Sequence, residues 1–137
     1  MHPKVSPLTI DEVEGIIRNI DLPANQDGPL YRLMFPLPAT EDQQNEIIQW
    51  YEGGLETALQ SDTDTFLKIC DENGVPIGFC GWIMEDRTRT NRGPARSPQI
   101  SAPELLDVSA WMDISRKLRS ERERVINDLN SHYICRE

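Results

Sequence analysis

Apolar residues recur along this 137-residue chain at two spacings, one near 3.6 residues and one of 2, and the changes between them mark the expected elements. Val5 to Leu8 reads as a short first strand. Thr9-Ile10-Asp11-Glu12 follows as a capping box, in which Thr9 accepts from the backbone three residues on and Glu12 reaches back. Val13, Ile16, Ile17 and Ile20 then share one face of a helix. Gly15 weakens that helix by about 1 kcal/mol relative to Ala. Asp21 to Gly28 is rich in turn formers and is expected to end it. Tyr31 to Pro36 is an apolar patch, closed by Pro36 and Pro38 and too punctuated for a long helix. Thr40-Glu41-Asp42-Gln43 is a second capping box, with both acids where the helix dipole favours them. Ile47, Ile48, Tyr51, Leu55, Ala58 and Leu59 make the second helical stripe, with Gly53-Gly54 a weak point inside it.

Beyond residue 64 the period falls to 2. Thr65 to Cys70 is a β-rich run, Asp71-Glu72-Asn73-Gly74 a turn with an Asn-Gly pair suited to positive φ, and Ile77 to Met84 the return strand. Gly78 and Gly81 in the return strand point to a bulge or a close backbone approach. Residues 85–100, dense in Gly, Pro, Arg and Thr, are expected to be a mobile loop. Ser101 to Glu104 is read as the cap of a short helix running through Leu105, Leu106 and Met112. A further helix is expected from about Ile114 to Asn130, with Ile114, Leu118, Val125 and Leu129 on one side. His132 to Cys135 is read as the start of another strand. The order β-α-loop-α-β-β-loop-α-β predicts an α+β fold: one domain over 1–137, with a central antiparallel hairpin flanked by helices. A last strand that stops at once leaves a sheet edge without its neighbour.

Composition narrows the function classes. The net charge is −9, which argues against general nucleic-acid binding; the basic stretch Arg87 to Arg96 reads as a solvated loop. No apolar run approaches the roughly 20 residues of a membrane span, and the first residues lack the apolar centre of a secretory signal, so a cytoplasmic protein is expected, with the nucleus not excluded. Cys70, Cys80 and Cys135 have no metal-ligand spacing, so neither a disulfide framework nor a metal site is expected. Hydrolase, Walker and zinc-protease motifs are absent from the sequence.

Several local sequences resemble GNAT-superfamily N-acetyltransferases, above all a fungal-type subgroup. They are Val5-Ser6-Pro7-Leu8-Thr9 leading into a capped helix, Leu33-Met34-Phe35-Pro36 before the second helix, and Phe66-Leu67-Lys68-Ile69 with Asp71-Glu72-Asn73-Gly74 and Ile77-Gly78-Phe79-Cys80-Gly81-Trp82. Glu121-Arg122-Glu123-Arg124 with His132-Tyr133 is similar to the approach to the family's fourth strand. The resemblance runs in order across nearly the whole chain. It implies acetyl transfer from acetyl-CoA to an amine, with the segment between the first two helices lining the acceptor pocket. The acceptor candidates it implies are Tyr31, Arg32, Phe35, Trp82 and Glu85. The family's Gln/Arg-x-x-Gly-x-Gly/Ala loop, whose N–H groups hold the CoA pyrophosphate, has no counterpart in this sequence. No cofactor is therefore expected for this chain, and no catalytic residue is assigned. Three readings stand at this point. One is a truncated N-acetyltransferase that keeps the acceptor side. Another is a small-molecule binder on the same partial fold. The third is a non-catalytic module that pairs with another chain, a second copy included, through an exposed sheet edge.

Overall fold

In the computed structural model, residues 2–83 and 101–133 are described. The expected 85–100 loop and Glu85 lie outside them. The fold is mixed helix and strand around a three-stranded antiparallel sheet. Strand β1 (Lys4–Pro7) pairs with β2 (Asp64–Cys70), and β2 pairs with β3 (Pro76–Ile83), in the order β1-β2-β3. The hairpin forms where the turn residues predicted it. Asp71 Oδ1 accepts from the N–H groups of Asn73 and Val75, both at 2.9 Å. The positive φ falls on Gly74 (78°) and not on Asn73. A register shift at Ile69/Cys70, paired with Gly78 and Pro76, adjoins the turn and gives a bulge beside Gly78 of the glycine-rich strand.

Both capping boxes form, at Thr9/Glu12 and at Thr40/Gln43. The first helix, however, does not end at Asp21. A 3-10 turn (Ile10–Glu12) runs into α1 (Val13–Ile16), a π-helical turn (Ile17–Asp21) and α2 (Leu22–Asn25). The π turn gives the physical reason. Leu22 N–H donates to the carbonyl of Ile17, five residues back, and that wider turn admits Pro23, which has no N–H to donate. The segment read as a turn is thus helical through Asn25.

Helix α3 (Pro29–Met34) is short, as the prolines around it required, and α4 (Glu41–Leu59) runs unbroken through Gly53-Gly54. Gly53 is buried within α4 and Gly54 is exposed, and the pair does not break the helix.

The two helices expected after residue 100 are one. Helix α5 (Val108–Tyr133) is capped by Asp107, whose Oδ1 accepts from Ala110 N–H at 2.9 Å, and not by Ser101. Residues 101–107 instead tie the helix layer together: Glu104 N–H donates to Glu46 Oε2 at 3.2 Å, and Asp107 N–H to the Met34 carbonyl at 2.8 Å. His132 and Tyr133, read as strand, belong to α5, because the mixed-charge helix carries on without a stop signal. Residues 134–135 of that expected strand lie outside the described residues.

The core lies between the helices and one face of the sheet. Ile16 and Ile47 are fully buried at its centre, beside Val13, Ile17, Leu22, Phe35, Ile48 and Leu106. Antiparallel partners share a face, so register divides the sheet cleanly. Phe66, Lys68, Cys70, Phe79 and Gly81 look toward the helices. Lys68 pairs there with Glu12 of the first capping box, which ties β2 to the helix start. Val5, Leu67, Ile69, Cys80 and Trp82 look the other way. No helix among the described residues is long and apolar enough to cross a membrane.

A candidate ligand pocket lined by aromatic residues

Between α4, the start of α5 and the inner sheet face lies a cavity of about 720 Å³. That is the size range of small-molecule sites. Trp50 and Tyr51 of α4, Phe66 of β2, Phe79 of β3 and Trp111 of α5 supply its aromatic walls. Sequence explains the gap. Gly53 and Gly54 bring no side chain to the α4 surface, and Gly81 opposite Phe66 leaves room for the Phe66 ring. Trp111 reaches the site from the first turn of α5, which Asp107 caps.

The aromatic groups form a continuous cluster. Phe35 stacks on Tyr31 with centroids 4.9 Å apart, and its edge meets Trp50 at 6.2 Å. Trp50 in turn meets Tyr51 at 5.4 Å and Trp111 at 5.7 Å, both edge-to-face. Such pairs add about 0.5–1.5 kcal/mol each beyond their burial, so the walls are stiff.

The polar groups here are few. Asp21, at the end of the π turn, borders the cavity and is half-buried. Burial pushes its carboxyl above the usual carboxylate range, and hydrogen bonding from Asn25 Nδ2, at 2.9 Å to Oδ1, opposes that shift. No cation among the described residues pairs with it. Burial, with the nearby Tyr31 and Asp21, pushes the Tyr51 phenol up to about 12, so it stays a neutral donor and acceptor at ordinary pH. The Tyr31 phenol is also raised by burial. The site therefore offers apolar walls, a carboxylate that gains from a cation, and neutral hydroxyl groups.

The residues singled out by resemblance fall in different places. Tyr31 and Phe35 stand behind the cavity wall, against Trp50. Met34, between them, lines the cavity itself. Arg32 is exposed on α3. Trp82 is on the outer face of the sheet, opposite Thr65 and away from the cavity. Glu85 is not among the described residues. Sequence reasoning missed Trp50, Asp21 and Trp111. Trp50 lies next to the apolar stripe of α4 and was legible there as a large aromatic beside the Gly-Gly pair. Asp21 was hidden by the reading of its segment as a turn.

Among the described residues no group of three or more His, Cys, Asp or Glu is placed to hold a metal. Cys70 is buried and Cys80 exposed, both as free thiols. No family model, no curated protein and no solved structure matches this chain.

Proposed function

We propose that the protein binds a small amphipathic amine in the aromatic cavity, on a fold resembling the acceptor side of a GNAT N-acetyltransferase. The carrying observation is a half-buried carboxylate with no cation partner among the described residues, set in the rim of a large aromatic pocket. An apolar amine satisfies both parts. Its hydrocarbon body takes up the space among Trp50, Phe66, Phe79 and Trp111, and its ammonium group meets Asp21. Aromatic faces near the ammonium add cation–π attraction of about 0.5–1 kcal/mol.

The GNAT likeness rests on the strand-to-capped-helix opening, the β2–β3 hairpin and the position of Tyr31 to Phe35 between the first helices. It supports binding of an amine on the acceptor side. It does not extend to the cofactor, because the sequence carries no pyrophosphate loop.

Calorimetric titration with 2-phenylethylamine, its neutral isostere n-propylbenzene and acetyl-CoA tests the reading. The amine is expected to bind about tenfold more tightly than the isostere, a difference of about 1.4 kcal/mol that Asp21→Asn abolishes. Equal binding of amine and isostere to the unaltered protein would sink the amine reading, and no binding of either would sink the pocket reading. Tight binding of acetyl-CoA would replace both with a complete acetyltransferase site.

A further inference from the structure

Two apolar surfaces have nothing over them among the described residues. One is the outer face of the sheet, where Val5 is 57% and Trp82 53% exposed, with Ile69 and Cys80 exposed beside them and Leu67 half-buried. The other is the far part of α5. From Arg116 to Asp128 every side chain except the half-buried Ile126 is exposed, including Leu118 at 60% and Val125 at 45%. The outward face of an antiparallel sheet is ordinarily polar, and a helix gains little from standing alone in water. Each surface is therefore unpartnered among the described residues.

The two surfaces match in shape. Residues 114–128 of α5 span about 21 Å, and a seven-residue strand such as β2 spans about 23 Å. Three strands are about 10 Å across between the outer two, the width of one helix.

They also match in charge. The outer face carries no Lys or Arg, and its two ends are acidic, with Asp71 and Glu72 in the hairpin turn and Asp62 and Asp64 at the far end of β2. In the first 83 residues Asp and Glu far outnumber Lys4, Arg18, Arg32 and Lys68. The exposed stretch of α5 leans the other way: Arg116, Lys117, Arg119, Arg122 and Arg124 outnumber Glu121, Glu123 and Asp128, although Arg116 and Lys117 pair with Asp113 and Arg124 with Glu121 and Asp128 along the same helix. Two α5 helices side by side would bring like charge together, whereas α5 on an acidic-ended sheet brings opposite charge together.

We propose that the protein forms a two-fold dimer in which α5 of each copy lies across the outer sheet face of the other. A chain cannot close this contact on itself. The start of α5 is fixed within the helix layer by Asp107 N–H on the Met34 carbonyl and by Trp111 against Trp50, on the side of the sheet opposite Val5 and Trp82. Leu118 and Val125 leave that layer as one rigid helix. The exchange is reciprocal, so the two contacts close a symmetric pair and leave no open-ended face. It uses the sheet face and α5 together, unlike pairing along the free edge of β3, which needs neither Leu118 nor Trp82.

Sedimentation equilibrium of the full chain decides the matter. The expected mass is twice the 15.7 kDa of one chain, at micromolar concentration. Leu118→Asp and Trp82→Asp are each expected to weaken the dimer by at least about tenfold in Kd. Both side chains are more than half exposed in the single chain, so far-ultraviolet dichroism and melting temperature of the monomer serve as the folding control. A monomer at all concentrations overturns the proposal. So does a dimer that Leu118→Asp breaks and Trp82→Asp leaves intact, which means helix-to-helix pairing. A dimer that resists Leu118→Asp overturns it in favour of edge or face pairing of the sheet.

Discussion

The two faces of the sheet are built from the same kinds of residue and end in different states. Phe66, Cys70 and Phe79 on the inner face are covered by α1, α4 and the segment before α5. Val5, Leu67, Ile69 and Trp82 on the outer face are as apolar and carry no described element over them. β2 and β3 thus carry apolar residues on both faces, while β1 turns Lys4 and Ser6 inward and Val5 and Pro7 outward. An inner face of this kind holds the chain folded. An outer face of the same composition adds little to a single chain and is informative about what the chain meets.

The largest expected difference between the two faces is in stability. Ile47 on α4 is 1% exposed and sits against the inner face within the core. Ile47→Ala is expected to cost about 3 kcal/mol, from lost burial plus the cavity left behind. Ile69→Thr on the outer face, where Ile69 is 36% exposed, is expected to cost no more than about 1 kcal/mol in the monomer, since Thr keeps the β-branched shape. Urea denaturation at low protein concentration measures both. A cost for Ile69→Thr approaching that of Ile47→Ala would mean that the outer face is already covered within one chain.

Gly81 gives a smaller and more local break. A Cβ placed on it would sit 2.6 Å from Phe66 Cδ1, so the ring must move. Gly81→Ala is expected to cost about 2 kcal/mol and to push Phe66 into the cavity. Amine affinity should fall with it. Gly78, which faces outward on the same strand, has nothing within 4 Å of its would-be Cβ, and Gly78→Ala should leave affinity alone. Calorimetry on the two variants separates a wall of the site from a position outside it.

What the sequence made legible follows from how local each signal is. The two capping boxes, the second helix and the hairpin with its glycine turn are set by residues within four positions of one another, and each forms where its pattern stood. The errors lie where one local rule competes with another. Pro23 and the turn formers around it argued for a stop, but a π turn accommodated the missing N–H. Ser101 had the right chemistry for a cap, yet Asp107 is the residue whose carboxylate meets free N–H groups, because Pro103 and buried Leu106 hold 101–107 against Glu46 and Met34. The cavity was the least legible feature. Its walls come from residues 17 to 111, and no local pattern reports that Trp50, Phe79 and Trp111 converge.

The smallest expected effect concerns the polar group among those walls. Tyr51 ionises near 10 in the unfolded chain, and in the folded protein its phenol is pushed up to about 12 by burial, with Tyr31 and Asp21 adding to the shift. A raised folded value means that the contribution is complete below pH 10 and is lost as pH rises from 10 through about 12, where the unfolded chain releases its proton first. At full weight that gap is about 2.7 kcal/mol. Tyr51 is half-buried, and solvent screening reduces the loss to about 1 kcal/mol. Tyr51→Phe removes the ionisable group and keeps the ring against Trp50, so its stability should fall by about 1 kcal/mol less between pH 10 and pH 12 than that of the unaltered protein. The outer face has no ionisable phenol, and Trp82→Phe should leave the slope of that pH curve unchanged. Equal slopes for the unaltered protein and Tyr51→Phe would mean that the phenol is open to water and the cavity wall looser than its geometry.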